Sequence, residues 1–436
     1  TGVGNYFMRS QVKSALVARL LTQARFTEFP QHADVRIERP IFVVGLPRTG
    51  TTALSRLLCA DPAHQGLEMW LTEFPQPRPP RDTWEDDPIF NAMQAAFREH
   101  HISNPEFMGI HYSDATEPEE CWRVLRQTGK SLGFESLAHV PAYSAWLAQQ
   151  AWTDTYARHR QNLQLIGLND QDKRWVLKNP SHLIALDALM EVYPDALIVM
   201  TQRDPVTSVA SACSLSAEAT AGHSTTFVGE TLGQDQLGHL TRQWQAFWAA
   251  RPSYDEKQFF DVDYRAFVQD PVATVGSIYD AFDLTWSREA QDTVHRLDDL
   301  SLSTSVPLDG TETAVSAALV HAVAARLTPV IDAMGGGRAD WLPGYRARIL
   351  DGASAGVAQE IFLELSVHSM VEEELLYGLY SSKVDNAGAA EARAEHQEAK
   401  DLILALEGME PGSDEFASAM GQLKASVMKP CIFVLL

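Results

Sequence analysis

The sequence predicts an α/β fold of three layers, a parallel sheet flanked by helices on both faces, followed by a separate α-helical C-terminal region. Two observations carry this. An apolar run over residues 40–44 ends at Gly45, passes through Leu46-Pro47-Arg48-Thr49-Gly50, and enters an apolar-periodic helix from Ala53 to Leu58. Further on, apolar runs over 175–177 and 196–201 enclose a helical stretch over 184–192 stopped by Tyr193-Pro194-Asp195. Strand, helix, strand with short polar joints is a βαβ unit, and such units place their functional loops at the carboxyl ends of parallel strands.

Taken from the N-terminus, residues 5–26 carry apolar positions at helical spacing (Phe7, Val12, Leu16, Leu20, Leu21), which predicts a helix packed on the core. After the strand ending at Gly45, loop N–H groups and the positive end of the next helix dipole converge on one anion. Gly45 and Gly50 have the G-x-x-x-x-G spacing of a P-loop, but Thr51 stands where the lysine of such loops belongs. The cation sits inside the loop instead, at Arg48, among the hydroxyls of Thr49, Thr51 and Thr52. An ordinary strand-to-helix turn explains two glycines. It does not explain a cation and three hydroxyls at one helix start. The loop reads as a phosphate cradle ill suited to a magnesium-borne γ-phosphate, which counts against a P-loop kinase, the second enzyme class considered.

Residues 75–88 are proline-dense and predict a loop. Residues 89–165 read as mostly helical and aromatic-rich, with Phe90, Phe97, Trp122, Tyr143, Trp152 and Tyr156 among them. Their plain role is helix core. The insertion also lies between two candidate phosphate grips, and some of these rings suit the lining of a pocket for a phenolic or lipid-like molecule. Lys178 follows the next strand, and Arg203 the one after. Ser211 lies eight residues beyond Arg203, about two helical turns into the following helix. An arginine at a strand end and a serine on the next helix can grip a second phosphate.

The Pro-Arg-Thr-Gly-Thr-Thr loop of residues 47–52, with Arg203 and Ser211 at this spacing after a second strand, resembles the sulfotransferases that use 3′-phosphoadenosine-5′-phosphosulfate (PAPS). The segment Lys178-Asn179-Pro180-Ser181-His182-Leu183 resembles their bacterial branch, which is related to the tyrosylprotein enzymes. The block over 260–267, with Asp270-Pro271 behind it, looks like a further family element. The resemblance spans roughly residues 1–295. It implies that Arg48, Thr49, Gly50, Thr51 and Thr52 hold the 5′-phosphosulfate and that Arg203 and Ser211 hold the 3′-phosphate. It also implies a place for Tyr264 in the donor site. Lys178 and Arg48 become the cations at the departing phosphate, with no metal required for transfer. Glu68, in the position where related enzymes carry a catalytic glutamate, becomes the base; a solvated loop carboxylate is its plainer role. His182 is the competing base, but its spacing from Lys178 differs from the Lys-x-His of cytosolic relatives, and a capping or core histidine is the plainer reading. After Leu297 the chain departs from the family pattern, with no His-x-Tyr segment in sight.

Composition sets outer limits. A chain of 436 residues with 45% hydrophobic and 21% charged residues has the make-up of a globular protein, and its length suggests about two to three domains. A net charge of −22 argues against nonspecific nucleic-acid or anionic-membrane binding. Any phosphate site is then a local cationic pocket, for which Arg48, Lys178 and Arg203 are available. Four cysteines without CxxC spacing read as reduced thiols of a cytoplasmic protein. No signal peptide is visible, and no apolar run is long enough to span a bilayer.

Ser301 to Gly310 has the composition of a linker. The expected organisation is a first domain over 1–300, a linker and helical connection over 301–350, and a helical bundle over 351–436. In the bundle His368 and Glu372 share a helix face at i and i+4, and His396 lies on a second helix. Residues 354–428 resemble the hemerythrin-like cation-binding bundles, which implies His368, Glu372 and His396 as ligands of an iron centre. The ligand set is incomplete, so a metal-free helical appendage stands beside that reading. The apolar last residues suit a neighbouring surface or a partner in a homodimer. Together these expectations describe transfer of a sulfuryl group from PAPS to a hydroxyl of a small-molecule, glycan or lipid acceptor, releasing the 3′,5′-bisphosphate PAP. The non-enzymatic alternative is a metal- or oxygen-responsive protein acting through the bundle.

Overall fold

A computed structural model of the chain describes residues 1–103 and 113–304, together with the single positions 415, 418 and 422. Residues 301–304 of the expected linker continue the helix Arg288–Thr304; the rest of the linker, and all of the expected bundle but those three positions, with His368, Glu372 and His396, lie outside the described residues. The architecture is a sheet of five parallel strands in the order β2-β3-β1-β4-β5. These are β1 (Ile41–Gly45), β2 (His64–Gln65), β3 (Arg174–Lys178), β4 (Leu197–Gln202) and β5 (Phe259–Asp263).

Burial follows from this order. The three central strands are buried almost without interruption, as strands covered on both faces must be. The edges differ: β2 is two residues long, and β5 has only Phe259 and Val262 buried. Side chains alternate between the faces. Ile41, Val43, Val176, Leu197 and Val199 pack with Leu54, Leu57 and Leu58 of the helix Thr51–Cys59 and with Val275 and Ile278 of the helix Pro271–Ala281. Phe42, between Ile41 and Val43, turns the other way and meets the rings of His159, His182 and Tyr193. Helices on both faces complete the three expected layers. The sequence shows three of the strands; β2 is too short to make a pattern, and β5 shows only as a family-like block.

The expected N-terminal helix runs Gly2–Glu28. Arg158, from the helix Thr153–Ile166, fastens it by donating to the Arg19 carbonyl at 2.9 Å. Residues 1–84 and the described residues of 101–304 belong to one compact unit, and Glu85–His100 belong to a second. The helix Pro88–Ser103 begins at Asp87, whose carboxylate accepts from the Ile89 and Phe90 N–H groups at 2.8 and 3.2 Å. From residue 113 the chain runs beside the β2 exit. Met69 N–H donates to the Glu117 carbonyl (3.0 Å), Glu119 N–H to Leu67 (2.8 Å) and Cys121 N–H to Lys178 (2.9 Å). This lays the acidic run Glu117–Glu120 along the ends of β2 and β3.

The histidines behind Phe42 form a buried cluster. His159 Nδ1 lies 2.8 Å from the Tyr193 hydroxyl, and His182 Nδ1 lies 2.7 Å from that of Tyr156. Burial pushes His159 down to about 3; burial, reinforced by His159, also holds His182 well below the usual range. Both rings are neutral in the fold and titrate near their ordinary value once unfolded, so below about pH 6.5 the unfolded chain binds more protons. Their stabilising contribution is present above that pH and is lost progressively as pH falls toward 3. Thermal melts should show a loss of midpoint on acidification that is smaller in His159→Gln. An undiminished loss in that variant would place the acid sensitivity elsewhere.

Candidate active site

Because the strands are all parallel, their carboxyl ends share one edge, and each sends out a candidate residue there. The loop of Arg48–Thr52 follows β1, Glu68 follows β2, Lys178 ends β3, Arg203 follows β4 and Tyr264 follows β5. Read across the sheet, the row is Glu68, Lys178, the loop, Arg203, Tyr264, with neighbouring strands about 4.8 Å apart. Residues spread over 217 positions of sequence, from 48 to 264, are brought to one edge by topology alone.

The loop has two positions that only glycine fills. Gly45, at φ 146°, would drive a Cβ into the Thr201 hydroxyl and carbonyl. Gly50, at φ 90°, would press a Cβ on Tyr264 and the Phe267 ring at 3.3 Å. Gly50 is the N-cap of the helix Thr51–Cys59 and brings no side chain to its first N–H groups, which leaves those donors to water or an anion. Of the three hydroxyls, that of Thr49 is committed inside the loop: it donates to the Leu46 carbonyl at 2.7 Å and lies 2.6 Å from Thr201 Oγ1.

Arg48 sits in the left-handed region at φ 68°, a costly conformation for a residue with a Cβ and one that functional loops often store. Its Nε donates to Ser211 Oγ at 3.1 Å, and Arg203 donates to the Arg48 carbonyl at 2.9 Å. The Arg203 guanidinium lies 4.4 Å from the Tyr264 ring centroid, a cation–π contact. The two phosphate grips expected as separate are thus joined through Arg48. Burial first, and the Arg203 charge second, hold Arg48 below its ordinary range, with Tyr264 opposing. An anion bound here would relieve both penalties.

On the other side of the loop, Lys178 is 4% exposed. Its Nζ donates to Thr52 Oγ1 at 3.2 Å and to Glu120 Oε1 at 2.9 Å. Glu68 Oε2 accepts from Arg78 Nε at 3.0 Å and Nη2 at 2.9 Å. Arg78 spends its other donors on the Gly66 carbonyl, Gln65 and Asp170, so all five N–H groups of the guanidinium are satisfied. Glu68 is therefore no free loop carboxylate; it is clasped by Arg78 from the proline-rich segment, where the expected loop over 75–88 gives way to a 3-10 helix at Arg81–Asp86 and to the helix from Pro88. His182 is 1% exposed and tied to Tyr156, which leaves it in the core, away from the row at the sheet edge. Arg78 and Glu120 were invisible in the sequence. Arg78 meets Glu68 ten positions away but Asp170 across 92, and Glu120 meets Lys178 across 58; an acidic run such as Glu117–Glu120 carries no sign of which cation each carboxylate will meet.

The chain matches a family model described as "Sulfotransferase family" over residues 40–288. It is similar to the crystal structure of sulfotransferase STF1 from Mycobacterium tuberculosis H37Rv, with 51% identity, a TM-score of 0.68, and coverage of 76% of this chain and 87% of that one. It is also similar to sulfotransferase STF9 from Mycobacterium avium, at 26% identity and a TM-score of 0.66, covering 79% and 88% of the two chains. Relatives from Mycobacterium bovis and Mycobacterium tuberculosis, named omega-hydroxy-beta-dihydromenaquinone-9 sulfotransferase Stf3, share 24% identity over 260 residues. That alignment covers 55% of this chain and 61% of the relatives' length. The matched region takes in every candidate residue of the edge, from Arg48 to Tyr264, and the chain belongs to the sulfotransferase family.

Proposed function

We propose that this protein is an enzyme that transfers a sulfuryl group from PAPS to an acceptor hydroxyl. The observation that carries the proposal is the convergence of Arg48, Arg203 and Ser211 around a glycine-capped helix start, where burial and like charge disfavour the Arg48 cation until an anion arrives. The loop Arg48–Thr52 would hold the phosphosulfate end, with Arg203 and Ser211 on the 3′-phosphate and Tyr264 backing Arg203. Lys178, linked to the loop through Thr52, would steady the departing phosphate oxygen. Glu68, oriented by Arg78, would take the proton of the acceptor hydroxyl as its oxygen bonds to sulfur and the sulfur–oxygen bond to phosphate breaks. Sulfated acceptor, PAP and a proton leave. No step of this scheme calls for a metal.

The names of the menaquinone-derivative relatives favour a lipid-like alcohol over a sugar or simple phenol as acceptor. Among the described residues no helix is long and apolar enough to cross a membrane; the cytoplasm is our proposed location. We also propose a transferase domain ending near residue 300, with the remainder as a helical appendage. Transfer of labelled sulfate from PAPS to a panel of isoprenoid alcohols, sugars and phenols tests the function. Label in the isoprenoid alcohols is expected; no label in any acceptor, with no PAP binding by calorimetry, would remove the proposal.

A further inference from the structure

We infer that Glu120 promotes product release by competing with the 5′-phosphate of PAP for Lys178, an inference that rests on the donor site proposed above. Lys178 Nζ is held between Thr52 at 3.2 Å and Glu120 at 2.9 Å, and the residue is 4% exposed. Burying an ammonium is costly unless an anion stands beside it. Here the chain supplies that anion itself, at the position where a donor's phosphate would need the cation.

The pairing is built into the backbone. Glu120 and Lys178 form a parallel bridge, and the Cys121 N–H bonds the Lys178 carbonyl at 2.9 Å. The main chain of Glu120 therefore stays beside Lys178 through a catalytic cycle, while the carboxylate, on a side chain 21% exposed, has water to turn into when another anion takes its place. The neighbouring acids are engaged elsewhere. Glu117 pairs with Arg56 at 2.8 Å, and Glu119 approaches Arg123 at 4.0 Å and accepts from the Glu120 N–H.

The consequence concerns the end of the reaction. Once the sulfuryl group has left, the 5′-phosphate becomes a monoester of about −1.5 to −2 charge near neutral pH and grips Lys178 harder than the phosphosulfate did. Glu120 is the group that takes Lys178 back. It acts through Lys178 and is a positioning residue, touching neither sulfur nor acceptor in this scheme.

Titration calorimetry of PAP against the full chain tests this without knowledge of the acceptor. Glu120→Gln should bind PAP about tenfold more tightly than wild type, within the usual range of coupling between sites. Glu120→Asp, whose shorter arm draws the carboxylate back, should gain about fivefold, the low end of the same range. Glu117→Gln should bind as wild type does. In a Lys178→Gln background the gain from Glu120→Gln should vanish. Unchanged or weaker PAP binding by folded Glu120→Gln, or by Glu120→Asp should Glu120→Gln not fold, would overturn the inference. So would an equal gain in the Lys178→Gln background or in Glu117→Gln, since plain charge repulsion would then suffice. A wild-type chain that binds no PAP would instead sink the donor site itself.

Discussion

Arg203→Ala weakens binding of PAP by about 10–100-fold, the scale of a lost hydrogen bond between charged groups. Adenosine 5′-phosphate, which lacks the 3′-phosphate, loses no more than about threefold in the same variant. The small second loss is expected because Arg203 also donates to the Arg48 carbonyl at 2.9 Å and so helps hold the loop. Ser211→Ala should show a smaller and more evenly shared loss: Ser211 Oγ accepts from Arg48 Nε, and removing it disturbs both ends of the donor site. Calorimetric titration with the two nucleotides reads the difference directly. Equal losses for both in Arg203→Ala would mean that the 3′-phosphate is bound elsewhere.

Glu68→Gln lowers turnover by about 10²–10⁴-fold, the usual contribution of a positioned general base, and leaves PAP affinity close to wild type. The amide keeps an oxygen able to accept from Arg78, so the clasp over Gln65, Gly66 and Asp170 should survive the change. What is lost is the ability to hold a proton. Wild-type turnover in this variant would exclude Glu68. Glu120, 2.9 Å from Lys178, would be the next carboxylate to test. His182 would not: it is buried behind β1 against Phe42 and Tyr156, where a proton taken up has neither solvent nor a carboxylate partner to stabilise it.

Most of the edge was legible before any coordinates. A buried strand must be apolar throughout, a helix start that binds an anion needs glycine and hydroxyls, and a charged residue directly after such a strand has to emerge at its end. These local requirements mark Arg48, Lys178 and Arg203 within short windows of sequence. Glu68 and Tyr264 came from resemblance rather than from residue pattern, since neither carries a local signal. β2, at two residues, is too short for periodicity to act on.

The partnerships were not legible, and the reason is distance along the chain. Arg78 meets Asp170 across 92 positions and Arg48 meets Ser211 across 163. Nothing local distinguishes the arginine of a proline-rich loop from a solvated one until the fold brings its acceptors together. The same holds for Glu120, one carboxylate of an acidic run, whose pairing with Lys178 is decided by the segment after residue 113 lying beside the end of β3. The sequence by itself determined the strand class, the glycine loop at the helix start and which cations stand at strand ends, because each follows from residue chemistry at short range. Only the tertiary structure decided that Thr49 serves the loop, that Glu68 is clasped and that Lys178 is already paired. Hydrogen bonds and buried charge are satisfied by whatever the folded chain brings within about 3 Å, and that neighbourhood does not exist until the sheet has formed.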